Sequence, residues 1–200
     1  MKNKNLLIIF TRNPELGKVK SRLARSIGKE KALAVYKDLL IHTREISKDL
    51  EVDKRLYYSE EISVSDNWPT SIYEKKLQVG TNLGEKMKYA FKEGFASGYT
   101  KVVIIGSDII DLRQTHIEQA FKVLDDYDTV LGPAQDGGYY LLGMKTLVPS
   151  VFENKNWGTE SVFYDTLKDL EKHCISFLEV LNDIDLISDI KPDSELYKHL

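Results

Sequence analysis

Two uninterrupted apolar runs, Leu6-Leu7-Ile8-Ile9-Phe10 and Val102-Val103-Ile104-Ile105, constrain this chain more than any other feature. Both are rich in β-branched residues, and neither alternates with polar positions, so each reads as a strand buried on both faces. Such strands need helices above and below them, and the spacing supplies helices. From Lys29, the positions Ala32, Val35, Tyr36, Leu39, Leu40, Thr43 and Ile46 keep one face apolar. Asn82 with Glu85 makes a capping pattern for a second helix carrying Met87, Ala90, Phe91 and Phe95. Thr115 with Glu118 opens a third over Ile117, Ala120, Phe121 and Leu124, and a fourth is expected from Thr159 to Lys172. Shorter extended pieces are expected at Arg55–Ser59, Leu77–Val79, Thr129–Gly132, Tyr139–Leu142 and Ile175–Val180, with Glu60–Lys75 an irregular connection. Strand and helix alternate without a linker or repeat. The expected fold is therefore α/β, a three-layer α/β/α sandwich on a mostly parallel sheet, formed by residues 1–200 as one domain.

Composition narrows the function. A formal net charge of −3 argues against a protein that coats nucleic acid or an anionic membrane. One cysteine, Cys174, excludes an intramolecular disulfide framework or a cysteine-based zinc cluster. The first apolar run is too short for a signal peptide or a spanning helix, so a soluble cytoplasmic protein is expected, without membrane insertion. The charge is unevenly placed: residues 1–55 hold 14 basic against 7 acidic side chains, and residues 56–200 hold 14 against 24.

Open α/β sheets bind ligands beyond the carboxyl ends of their strands, which directs attention to four segments. Thr11 to Arg25 contains five basic residues and one acidic residue and leads into a helix, an arrangement suited to a polyphosphate. It is neither a Walker loop, having Arg12 and Val19 where Gly and Ser or Thr are needed, nor a three-glycine dinucleotide fingerprint. Gly106-Ser107-Asp108-Ile109-Ile110-Asp111 ends a hydrophobic strand in carboxylates, which either ligate a hard divalent cation or cap the next turn. Asp136-Gly137-Gly138 is a hairpin turn or a place where backbone approaches a ligand. In Asn182-Asp183-Ile184-Asp185 two acids share one face of an extended chain; they add a metal carboxylate or end a strand. Trp157-Gly158-Thr159 either walls a pocket or places a buried Trp before a helix.

Taken in order, "FTRNPELGKVKSRL", "GTNLGEKM", "GSDIIDL", "GPAQDGGYYLLG", "WGTESV" and "NDIDLISDI" resemble the bacterial glycosyltransferase-like family of radical-SAM/selenodomain-associated transferases. The chain is also similar, at a distance, to molybdenum-cofactor nucleotidylyltransferases and phospholactate guanylyltransferase. The resemblance covers nearly the whole chain and implies a nucleotide-diphospho-sugar transferase (GT-A-like) fold. It implies metal-dependent transfer from a nucleotide or nucleotide-sugar to an acceptor, with Mg²⁺ or Mn²⁺ as cofactor. Nucleotidylyl transfer with release of pyrophosphate, or a nucleotide-binding module without turnover, are the alternatives. On this basis Thr11, Arg12, Gly17, Lys18, Lys20, Ser21, Arg22, Gly80 and Ser107 are expected to bind the nucleotide. Asp108 and Asp136 are expected to be catalytic, Asp108 and Asp185 to hold the metal, and Gly137, Gly138, Tyr139 and Trp157 to face the acceptor. Ile110 stands where the family usually has Pro, which bears on the placement of Asp111.

Overall fold

A computed structural model of the protein describes residues 4–200. Seven strands, β1 (Asn5–Thr11), β2 (Asp53–Tyr58), β3 (Tyr73–Leu77), β4 (Lys101–Ile105), β5 (Thr129–Pro133), β6 (Tyr139–Met144) and β7 (Ile175–Phe177), form one sheet in the order β3-β2-β1-β4-β6-β5-β7. The pairs β1·β2, β1·β4, β2·β3 and β5·β7 are parallel, and β6 runs antiparallel to both β4 and β5. The helices are α1 (Ser21–Ile27), α2 (Lys29–Lys48), α3 (Leu83–Ala96), α4 (Gln114–Val123) and α5 (Val162–Asp169).

The two apolar runs lie side by side at the sheet centre, with Ile9 opposite Ile105. Their alternate residues feed opposite layers. Leu7, Ile9, Val103 and Ile105 pack with Ile117, Ala120 and Phe121 of α4. Leu6, Ile8, Val102 and Ile104 pack with Met87, Ala90 and Phe91 of α3. Burial on both faces explains why these runs lack the polar alternation of a one-sided sheet.

A third cluster fixes the functional edge. Val19 and Leu23 pack with Ala32, Val35, Tyr36 and Leu39 of α2, and with Ile184, Ile190 and Leu196 from the end of the chain. Ile184 is thereby buried, and its backbone N–H donates to the Asp108 carbonyl at 3.1 Å. The Asp183/Asp185 pair is thus fastened to the end of β4.

Several element boundaries differ from those read from sequence. β3 begins at Tyr73, inside the stretch expected to be irregular, because Tyr73 is buried edge-on against Trp68. The third sequence-read helix, α4, starts at Gln114, and His116 Nδ1 accepts from the Arg113 N–H at 3.0 Å where Thr115 and Glu118 were expected to cap. α5 spans only Val162–Asp169, because the residues before it form turns around Gly158 and Thr159. Asn82 does cap α3, accepting from Glu85 N–H at 3.0 Å.

Candidate active site

Every segment singled out at a strand end meets at one edge of the sheet, where β1, β2, β3 and β4 terminate together. A cavity of about 810 Å³ opens there, within the range of small-molecule sites. Thr11, Arg12, Lys18, Lys20, Ser21, Arg22, Ser107, Asp108 and Asp185 all line it. Gly17 and Gly80 do not; both have positive φ and shape turns behind the wall.

Along the cavity wall, hydroxyls lock the strand ends together. Tyr36 Oη of α2 lies 3.2 Å from Thr11 Oγ1 and 3.3 Å from Ser107 Oγ, and accepts from the Arg12 N–H at 2.9 Å. Gln78 Nε2 donates to the Thr11 and Tyr57 carbonyls at 3.0 and 3.1 Å. Asn13 Nδ2 donates to the Glu61 carbonyl at 2.8 Å, while its Oδ1 accepts from Glu60 N–H at 3.0 Å. With its polar partners satisfied, this scaffold holds the basic loop in one position.

The basic residues differ in what they face. Lys18 is exposed and pairs with Glu15 at 2.8 Å and Glu60 at 3.1 Å. The Arg12 guanidinium makes no hydrogen bond among the described residues, leaving its donors for a ligand. Lys20 adopts a left-handed backbone (φ 46°, ψ 48°), uncommon for a residue with a side chain. Its side chain is only 5% exposed, and the ammonium lies 3.1 Å from both Asp108 and Asp185. Burial opposes that charge, yet the two carboxylates outweigh it and hold the Lys20 ammonium above its ordinary range. Asp185 also accepts from Arg22 Nη1 at 3.2 Å. Both of its carboxylate oxygens therefore meet a cation, Oδ1 that of Lys20 and Oδ2 that of Arg22. α1 has only seven residues, so recognition of an anion here falls to side chains more than to a helix dipole.

Asp183 is the other member of the acidic pair that the sequence offers as a metal carboxylate or a strand end. It faces the cavity, and among the described residues its carboxylate makes no hydrogen bond or ion pair. Burial, followed by Asp108, Asp136 and Asp185, pushes the Asp183 carboxyl up to about 6. The pattern Asp-Ile-Asp did carry the signal: burying Ile184 turns both acids to the same side. Which of the two would be neutralised by Lys20 and Arg22 depends on distant packing and was not legible. Lys86 also lines the cavity. It sits in the first turn of α3, and the Asn82 cap that places this turn at the sheet edge was the available signal.

A second cavity, of about 240 Å³, adjoins the first and shares Leu83, Asp108 and Asp183 with it. Asp136, Gly138, Tyr139 and Trp157 line this chamber. Asp136 Oδ1 accepts from the Gly138 N–H at 2.9 Å. Gly137 stands outside the lining; its φ is +85°, and a Cβ there would sit 2.5 Å from the Glu160 backbone, so it lets the turn dock on the approach to α5. Trp157 packs edge-on against Tyr139, with centroids 6.5 Å apart. Its indole fits only because position 84 lacks a side chain: a Cβ there would lie 2.8 Å from Trp157 Nε1 and 2.2 Å from the Phe152 carbonyl. Asp111 faces neither chamber and pairs with Lys191 at 2.7 Å on the surface, while Ile110 packs on the third cluster. No helix among the described residues is long and apolar enough to cross a membrane.

A family described as "Uncharacterized protein conserved in bacteria (DUF2064)" matches residues 42–159. A 2-phospho-L-lactate guanylyltransferase from Methanocaldococcus fervens is 28% identical over 133 residues, which are 66% of this chain and 58% of that protein. The chain therefore spans under three fifths of that relative's length. A candidate nucleotide-diphospho-sugar transferase from Desulfovibrio desulfuricans superposes with a TM-score of 0.87 at 28% identity, over 98% of this chain and 94% of that one. The fold extends to a Mycobacterium tuberculosis protein solved in complex with manganese (TM-score 0.53, 14% identity, 94% and 96% coverage). The α/β architecture expected from the sequence is the one these structures share.

Proposed function

The chain belongs to the bacterial DUF2064 family, and we propose that it is a metal-dependent transferase that draws a nucleotidyl group from a nucleoside triphosphate. The observation that carries this reading is the pairing of two chambers around shared carboxylates. Arg12, Lys18, Lys20, Arg22 and Lys86 line the larger one, and Asp108 and Asp183 stand at its junction with the smaller one. A donor triphosphate in the basic chamber would bring its α-phosphate to that junction, facing an acceptor in the other.

The residues fit a divalent cation. Asp108 and Asp183 offer hard oxygen donors of the kind Mg²⁺ and Mn²⁺ take. Burial, and then Asp108, Asp136 and Asp185, disfavour the negative charge of Asp183, a penalty that a bound cation would offset. Among the described residues no three acidic, histidine or cysteine side chains form a ready-made metal cage; phosphate oxygens and water complete such shells on substrate-bound Mg²⁺. When bound, the metal would neutralise the donor's phosphates and so favour attack at phosphorus. Arg12 and Lys86 would steady the β- and γ-phosphates as pyrophosphate leaves, and Lys20 would keep Asp108 oriented. Asp136, with one oxygen held by Gly138 N–H, would take the acceptor's proton. Nucleotides are made in the cytoplasm, and we place the activity there.

Glycosyl transfer from a nucleotide-sugar is the second reading, favoured by the Desulfovibrio structure, which is similar along the whole chain. The curated guanylyltransferase relative favours nucleotidyl transfer. Product analysis separates them: the first reading expects pyrophosphate and the second a nucleoside diphosphate, each dependent on Mg²⁺ or Mn²⁺. Asp108→Asn should lower turnover about a hundredfold, the cost of roughly 3 kcal/mol of transition-state stabilisation. Unchanged metal-dependent turnover in that variant would overturn the assignment.

A further inference from the structure

We propose that the acceptor is a small uncharged or cationic molecule carrying a hydroxyl or amino group, and that phosphorylated and carboxylated acids are excluded. This rests on the transferase reading above and specifies its second substrate. The smaller chamber holds three carboxylates, Asp108, Asp136 and Asp183, and among the described residues no Lys, Arg or His lines it. A divalent cation on Asp108 and Asp183 offsets those two charges but leaves Asp136 facing the chamber. The cations of the site lie on the other side of the junction, where Lys20 is committed to Asp108 and Asp185. An anionic acceptor would therefore enter against like charge without a partner to replace its lost hydration. The rest of the wall, including Leu83, Met87, Val162 and the Trp157 indole, suits the apolar face of a small ring or short chain.

In the transfer, the acceptor oxygen or nitrogen forms a bond to the α-phosphorus. The bond from that phosphorus to the bridging oxygen breaks, and pyrophosphate leaves with the electron pair into the basic chamber. The acceptor's proton passes to Asp136 and on to solvent. The guanylyltransferase relatives are named for 2-phospho-L-lactate, a phosphorylated acid; the three carboxylates of the smaller chamber here disfavour such an anion.

The test uses Trp157 as reporter. The chain has two tryptophans, and Trp68→Phe leaves Trp157 as the single one, excited selectively at the red edge where tyrosine does not absorb. With Mn²⁺ and the tightest-binding nucleoside triphosphate present, its fluorescence is titrated with two matched series. One is glucosamine, glucose, glucuronate and glucose 6-phosphate; the other is serinol, glycerol, glycerate and glycerol 3-phosphate. The amine and neutral members should bind at least about tenfold more tightly than the acids of the same skeleton. Thr159→Lys, which adds a cation to the chamber rim at an exposed position, should shift the preference toward the phosphates. Acids that bind as tightly as their neutral counterparts in the parent protein would overturn the proposal. So would nucleotide binding with no response to any member of either series. Failure of every nucleoside triphosphate to bind, measured separately by equilibrium dialysis, would instead overturn the transferase reading.

Discussion

At position 183 a carboxylate is half buried with three others facing it, and the consequence is a pH-dependent liability. Its carboxyl is pushed up to about 6, first by burial and then by Asp108, Asp136 and Asp185. An acid whose folded-state pKa lies above its unfolded value of about 3.9 binds its proton more tightly when folded. Its contribution is present in full below the unfolded pKa and is lost as pH rises through about 6. Above that pH the ligand-free protein therefore carries an unfavourable charge. Asp183→Asn should raise Tm at pH 7.5, by about 2–4 °C for each kcal/mol relieved in a chain of this size, and the gain should vanish at pH 4. Added Mn²⁺ should stabilise the parent protein at pH 7.5 and the variant much less. A thermal melt series across pH, with and without Mn²⁺, reads all three effects.

The segment between β1 and α1 shows how an element can be legible in composition and not in conformation. Its basic excess and its place after a buried strand were visible, and both point to an anion. The left-handed backbone of Lys20 was not visible, since nothing in the letters marks it. It is imposed from outside, by Val19 and Leu23 in the third cluster and by two carboxylates far along the chain. β3 starts earlier than its own letters suggest because the Tyr73 hydroxyl reaches Ser47 and the Arg44 carbonyl on α2, and α4 starts earlier because a histidine side chain, His116, serves as an unusual cap. By contrast β1, β4 and α2 are set by their own periodicity, so their existence and burial were readable. The bridging role of Lys20 has a measurable consequence. Lys20→Met would leave Asp108 and Asp185 facing each other without their shared ammonium, at a cost of about 1–3 kcal/mol. Tm should fall in metal-free buffer and recover in part with Mn²⁺, because a divalent cation can take over the neutralisation. Equal losses with and without Mn²⁺ would remove Lys20 from the metal's neighbourhood.

Across the whole molecule, the near-neutral total of −3 conceals a spatial division. The basic residues of the first loop are carried by β1 to one side of the sheet edge. Asp108 comes from the end of β4, Asp136 from the β5–β6 turn and Asp183 from the final segment, so the acids are gathered from three remote stretches of chain. Only the parallel topology, with Ile184 stitched to the β4 end, brings them opposite the cations. That convergence means ligand binding should cross-link the fold's edge and report on global stability. A nucleotide at a hundredfold excess over its Kd contributes about 2.7 kcal/mol, a rise of roughly 5–10 °C in Tm for a chain of this size. The shift should require Mg²⁺ or Mn²⁺, weaken with added salt, and be largest for triphosphates, since more phosphate oxygens meet Arg12 and Lys86. A panel of nucleoside mono-, di- and triphosphates and nucleotide-sugars, melted with and without metal, measures this directly. A metal-independent shift of equal size for monophosphates would mean that the basic chamber recognises the nucleoside rather than its phosphates.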